Sequence, residues 1–219
     1  MNQEIFRTVH RAELKSDSQS TETLVQSVQH LNDKITNGDL LTLSLFRWHT
    51  TLFLYAEGIT TPFSPDEHLT DIHLQPWPGG TAGPRHWVPM MDIFHFSRPQ
   101  NAAHWRRKSP VETPFARVIR LRPDMVSSYI FYHYQLQEER PGKGDKYGII
   151  TLHEDLLFFY QERPRITEEA PSAPTLQTQN TPSNWQELMT LHFALWNDPG
   201  DPQWRLIDYL TSIGLPLQK

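Results

Sequence analysis

The sequence predicts an α+β fold: two ferredoxin-like βαββ units with antiparallel sheets packed as a barrel within one chain. Three observations predict it. Residues 115–162 read as strand, helix, strand, strand. Residues 6–57 read in the same order, as a worn second copy. The hexapeptide Leu52-Phe53-Leu54-Tyr55-Ala56-Glu57 lies over Leu157-Phe158-Phe159-Tyr160-Gln161-Glu162, 105 residues further on. A four-stranded sheet with helices on one face leaves its other face bare, and two such sheets in tandem can bury it against each other.

The first unit is expected over residues 1–114 and the second over 115–219. Phe6 to Leu14 reads as a strand. From Thr21 to Asp33, Leu24, Val25, Val28 and Leu31 form an amphipathic helix stripe, with Ser20 or Thr21 as cap and Asn37-Gly38 as the close. Leu41, Leu43 and Leu45 alternate with polar residues, as a half-buried strand does. Arg47 to Thr50 turns the chain, and Thr51 to Glu57 returns. Residues 58–114 change character: they are rich in Pro, Gly, His and Trp. Within them, Glu67 to Leu74 reads as a short helix, Trp77 to Pro84 with Gly80 as a turn-rich loop, and Pro89 to Phe96 as a strand.

The second half is clearer. Phe115 to Leu121 is a strand stopped at Arg122-Pro123. Asp124 caps a helix from Met125 to Glu139, which Pro141-Gly142 ends. Tyr147 to Leu152 and Leu156 to Glu162 are strands around a turn at His153 to Asp155. Residues 163–183 are a charged, Pro/Thr/Gln-rich loop. Ser183 and Gln186 read as a capping box for a helix from Trp185 to Trp196. Arg205 to Ile213 reads equally as strand or short helix. Met90 to Phe96 and Leu206 to Leu210 are the expected fourth strands of the first and second sheets.

Composition bounds the function. Hydrophobic residues make up 37% and aromatics 11%, enough for a packed core. The net charge of −5 speaks against a nucleic-acid partner. Cysteine is absent, which removes disulfides, thiolate metal sites and cysteine nucleophiles. The polar start, Met1 to Phe6, lacks a signal-peptide pattern, and no apolar run approaches the roughly 20 residues of a membrane helix. The expectation is a cytoplasmic protein with no membrane partner. Antiparallel edges and exposed tryptophans leave room for a homodimer.

Within residues 117–162 stand Arg117, Leu121-Arg122-Pro123, Tyr129-x-x-x-His133, Glu139, Tyr147-Gly148-Ile149-Ile150 and Leu157-Phe158-x-Tyr160-x-Glu162. In order and spacing this segment resembles the L-rhamnose mutarotase family of dimeric α/β-barrel proteins. The resemblance implies an isomerase that interconverts sugar anomers without metal or cofactor, and a monosaccharide as the small-molecule ligand. It implies His133 as acid and base, Tyr129 beside it, and Tyr147 and Glu139 at the sugar. Trp185 and Trp196 are the candidates for the family's tryptophan pair. The Trp-Pro of the family's Trp-Pro-Glu is replaced by Gln137 and Glu138. In the first unit Leu24 and Val28 hold the positions of Tyr129 and His133, so that unit is expected to have no site.

The chemistry is coherent. Tyr129 and His133 are four apart and share a helix face. A histidine can take a proton from an anomeric hydroxyl and return it to the ring oxygen near neutral pH. The alternative makes both residues core edges, with the imidazole bonded to a backbone carbonyl. Two further readings of the fold are a non-catalytic binding protein and a cofactor-independent oxygenase. His86, Asp92, His95 and His104 gather near Trp87 and Trp105. Their spacing matches no metal site, and on a regular strand Asp92 and His95 face opposite ways. Turn packing is expected there, and no metal. Gly142 to Lys146 is too short for a phosphate loop. Of Trp48, Tyr55, Phe158, Phe159 and Tyr160, any could line a pocket, though aromatic strands more often form core.

Overall fold

A computed structural model of the chain describes residues 3–17, 19–79, 83–139, 142–171, 173–196 and 204–218. Gly80 of the expected loop and Pro141 of the expected helix stop lie outside them. The chain forms two compact units, one of Met1–Met90, Pro99–Pro114 and Ile207–Lys219, the other of Met91–Arg98 and Phe115–Leu206. The fold class is α+β with antiparallel sheets. No helix among the described residues is long and apolar enough to cross a membrane.

The first unit opens with β1 (Ile5–Glu13), α1 (Thr21–Gln29), α2 (Asn32–Asn37), β2 (Leu40–Trp48) and β3 (Thr51–Ile59). Ser20 caps α1 by accepting from the Thr23 amide at 3.3 Å. Gly38, at φ +80°, takes the left-handed conformation that closes α2. The single helix expected over residues 21–33 is therefore two. Leu24 and Val28 of α1 are fully buried against Leu43, Leu45, Leu52 and Leu54. The helix expected at 67–74 is instead one turn, α3 (Pro65–His68), opened by its proline. After β4 (Val88–Pro89) and β5 (Met91–His95), α4 (Ala102–Trp105) supplies a buried tryptophan to the first unit. Glu57 on β3 is buried at 0% exposure, yet fully engaged. It accepts from the Tyr55 hydroxyl at 2.5 Å, from Trp105 Nε1 at 2.8 Å and from both terminal nitrogens of Arg107.

The second unit contains β6 (Thr113–Arg120), a 3₁₀ turn at Pro123–Met125, α5 (Val126–Glu139), β7 (Lys143–Asp145), β8 (Ile149–His153) and β9 (Leu156–Arg163). β10 (Thr167–Glu169), which pairs with β7, and α6 (Trp185–Thr190) follow. α6 stops well short of the expected Trp196. It opens after Asn184 without a side-chain cap, so the Ser183 capping box does not form. Its one buried residue is Met189, in the last turn.

The repeat is visible in the hairpins. β2–β3 turns at His49 (φ +54°), and β8–β9 turns at Glu154 (φ +58°), 105 residues on. Tyr55 donates to Glu57 and Tyr160 donates to Glu162 at 2.7 Å, again 105 apart. The fourth strands, however, are exchanged. The sheet orders are β12-β2-β3-β1-β4 and β11-β6-β9-β8-β5, where β11 is Arg205–Leu206 and β12 is Asp208–Ile213. The expected first-unit strand, β5, pairs with β8, and the expected second-unit segment splits. β11 stays with β6, while β12 crosses to β2. A division at residue 114/115 therefore does not follow the sheets. Ladder hydrogen bonds join whichever edges meet, and short strands carry no sequence label for one sheet or the other.

A register shift between Asp92 and Phe94 in β5 corrects a second expectation. The irregularity puts Asp92 and His95 on one side, with Oδ2 and Nδ1 2.7 Å apart.

Two outcomes follow from this arrangement. Residues 1–114 and 115–219 expressed separately each lack the strand that closes their sheet. Each should show poor amide dispersion by NMR alone, and mixing should restore it; independent folding of either piece would contradict the exchange. In β1, burial pushes His10 down to about 4 from 6.5, against the pull of Asp66. The unfolded chain then binds more protons between those values, so stability falls as pH drops through that window. The unfolding free energy should fall by at most about 3 kcal/mol from pH 6.5 to about 4, and by less in His10→Gln.

Candidate functional site

The helix α5 places the site. Residues four apart on a helix stack on one face, and Tyr129 and His133 lie with ring centroids 4.0 Å apart and planes inclined by 31°. Both are almost fully buried. The Nδ1 of His133 donates to the Tyr129 carbonyl at 2.9 Å. That bond selects the tautomer: Nδ1 holds the proton, and in the neutral ring Nε2 carries the lone pair. Trp185 meets the imidazole edge-on at 5.0 Å and Phe94 does so at 5.7 Å.

Tyr129, His133 and Trp185 border a cavity of about 590 Å³, lined also by Arg117, Ile150, Phe159, Met189, Phe193 and Trp204. Exposed Gln186 and Thr190 of α6 line it as well, as a polar rim. The size suits a small molecule, and aromatic walls with a few placed polar groups are the usual make-up of such a site. Burial pushes the Tyr129 hydroxyl far above its ordinary range, so it stays a neutral O–H donor at any working pH. It makes no hydrogen bond to the described residues. Among the described residues no carboxylate lines the cavity. Arg117 brings a cation; burial, then the neighbouring Arg163, pull its pKa down. His192 stands behind Tyr129 at 5.7 Å, fully buried, with its nitrogens engaged by the Leu188 carbonyl and Ser128 Oγ.

The structure brings Tyr129, His133 and Trp185 together. Tyr147, Glu139 and Trp196 are not among the residues lining the cavity, although Trp196 packs against the apolar cluster that holds Tyr129. Tyr147 is buried in the turn before β8, with Lys146 over its ring at 5.7 Å. Glu139 lies at the far end of α5 and holds residues 178–181. Against a desolvation that raises its pKa, bonds from Thr178, Thr181, Asn180 and Gln135 keep its carboxyl well below the usual range. Trp196 lies beyond the end of α6, where Arg205 stacks over it at 5.7 Å. Of the five aromatics considered, only Phe159 lines this cavity; Phe158 and Tyr160, its neighbours on β9, point to the opposite face and are fully buried.

Sequence reasoning assigned no role to Arg117, Phe193 or Trp204. Arg117 left a signal: it shares a strand face with Ile119 and Leu121, both of the apolar cluster under α5. Phe193 and Trp204 sit in irregular chain and leave none. The histidines of the middle segment do not gather as ligands. His86 approaches Asp66 at 3.7 Å, and the Nδ1 of His104 accepts from the Gln100 amide. Among the described residues no group of three or more His, Cys, Asp or Glu is placed to hold a metal ion.

In the first unit the corresponding space is filled. Leu24 and Val28 occupy the positions of Tyr129 and His133 and are fully buried in the apolar cluster.

No family model matches the chain, and no curated protein matches it. It is similar to the solved structure of a candidate monooxygenase from Fusobacterium nucleatum subsp. nucleatum ATCC 25586. The identity is 11%, the match covers 97% of this chain and 95% of that one, and the TM-score is 0.42.

Proposed function

We propose that the second unit is a carbohydrate mutarotase-like isomerase, with His133 moving the proton. The observation that carries this reading is the convergence of Tyr129 and His133 on one aromatic-walled cavity. Anomer exchange needs one proton removed and one delivered. Nε2 of His133 takes the proton of the anomeric hydroxyl, and the bond from the anomeric carbon to the ring oxygen breaks. The electron pair of that bond goes to the ring oxygen, which the same imidazolium reprotonates. The open-chain aldehyde rotates about its first carbon–carbon bond and recloses by the reverse steps. Tyr129 donates a hydrogen bond to oxygen throughout, its proton too tightly held to be given up. The Nδ1 bond to the helix carbonyl keeps the imidazole in one orientation and stabilises the imidazolium. Trp185 and Phe159 offer flat faces for the C–H side of a sugar ring.

The same walls favour a second reading, a cofactor-independent oxygenase acting on a flat phenolic or quinol compound. There His133 takes a phenolic proton, and dioxygen is the co-reactant.

Saturation-transfer NMR of anomeric protons separates the two. At least one reducing sugar should show faster anomer exchange with the wild type, and His133→Ala should slow it by roughly 10²- to 10⁴-fold. Oxygen uptake with quinols, and no sugar response, would replace the isomerase by the oxygenase.

A further inference from the structure

We infer that Arg117 makes this cavity an anion site, and that its ligand is a ring compound bearing a carboxylate. The inference rests on the proposal that the cavity takes a small ring ligand. It adds the charge of that ligand and names the residues that aim the guanidinium.

A guanidinium carries five N–H donors and no acceptor. In a protein wall it is ordinarily matched by a carboxylate, because an unpaired buried charge is costly. Arg117 has no such match among the described residues. Its Nε is buried without a hydrogen-bond partner. Nη2 donates to Gln161 Oε1 at 3.3 Å, a neutral acceptor. The guanidinium lies 5.1 Å from the centroid of Phe159 and 5.8 Å from that of Phe115. The nearest acid in this network, Asp145, is reached only through Gln161, whose Nε2 donates to Asp145 Oδ2 at 2.8 Å. Asp145 is already committed. Its Oδ1 accepts from the amides of Tyr147 and Gly148, both at 3.1 Å, and Arg165 approaches Oδ2 at 3.9 Å.

Gln161 therefore works as a spacer. Asp145 fixes its amide so that the oxygen faces Arg117. The carboxylate holds the guanidinium in place at second hand without neutralising it. The cation is left for a ligand, in a cavity that no carboxylate lines among the described residues. A carboxylate on the ligand meets the guanidinium with planar, two-point geometry that an ammonium does not offer. Sugar acids and hydroxybenzoates share this chemistry, and the arms of the test tell them apart. Arg117 is a binding residue here, and Gln161 a positioning residue.

The test is ligand-observed NMR titration of the full chain with two matched pairs, D-galacturonate against D-galactose and 4-hydroxybenzoate against 4-hydroxybenzamide. In at least one pair the acid should bind about tenfold or more tightly than its neutral partner. Arg117→Gln should bring that ratio to about one, whereas Arg117→Lys should keep part of the preference. Gln161→Leu should lower the ratio with the thermal midpoint nearly unmoved, an effect on selectivity that a purely structural role would not produce. A galacturonate preference points to sugar acids, and a hydroxybenzoate preference to aromatic acids. Equal binding within both pairs, no binding of either acid, or an acid preference that survives Arg117→Gln would overturn the inference. Anomer exchange of neutral sugars without acid preference would sink this inference and keep the isomerase. Arg117-dependent binding of hydroxybenzoate without anomer exchange would do the reverse.

Discussion

Both sheets depend on strands that the chain delivers from the other repeat. β2 has its outer edge closed by β12, and β8 by β5. The joint at β12 is more than a ladder. Thr42 donates its hydroxyl to the Ile213 carbonyl at 2.9 Å, Ser44 and Ser212 share a hydrogen bond at 2.7 Å, and Gln29 of α1 reaches Thr211 at 2.7 Å. An edge strand left open would present unpaired backbone groups in a row. The exchange removes that hazard from β2 and β8, and it makes each sheet incomplete until residues distant in sequence have arrived. The first sheet waits for residues 208–213, near the end of the chain.

Within that frame the two units have spent the same positions differently. Under α1, Leu24 and Val28 fill the space between helix and sheet, and the result is apolar core. Under α5, Tyr129 and His133 stand at those positions and border a cavity. On the third strand Ala56 of one unit is matched by Gln161 of the other, 105 residues on. Small apolar residues pack; larger polar ones hold space open and need partners. The first unit buries its charge as Glu57, fully engaged with Tyr55, Trp105 and Arg107. Leaving one member of such a group unpaired costs about 3–5 kcal/mol. In the second unit Arg117 donates to the neutral Gln161 and pairs with no carboxylate among the described residues. The contrast is between a charge spent on stability and a charge held available.

Much of this was legible in the sequence. The alternation of Leu41, Leu43 and Leu45 and the repeated Leu-Phe-x-Tyr-x-Glu run located both hairpins to within a residue or two. The i, i+4 spacing of Tyr129 and His133 placed them on one face. Expectations failed where partners lay far away. The irregularity in β5 brought Asp92 to His95, although a regular strand would part them. Glu139 turned to the backbone of residues 180 and 181, which no local pattern announces. Trp196 reads as part of a helix opened by a Ser183–Gln186 capping box, but the helix ends at Thr190, after burying Met189.

By itself, the sequence determined the period of each element, the duplication, and the pair on α5, because side-chain direction within a helix or strand follows from local geometry alone. The tertiary structure decided which sheet each short edge strand joins, which aromatics wall the cavity, and that Arg117 meets Gln161 rather than an acid among the described residues. Those outcomes depend on which distant groups meet, and hydrogen bonding and burial reward any sterically allowed meeting without regard to separation along the chain.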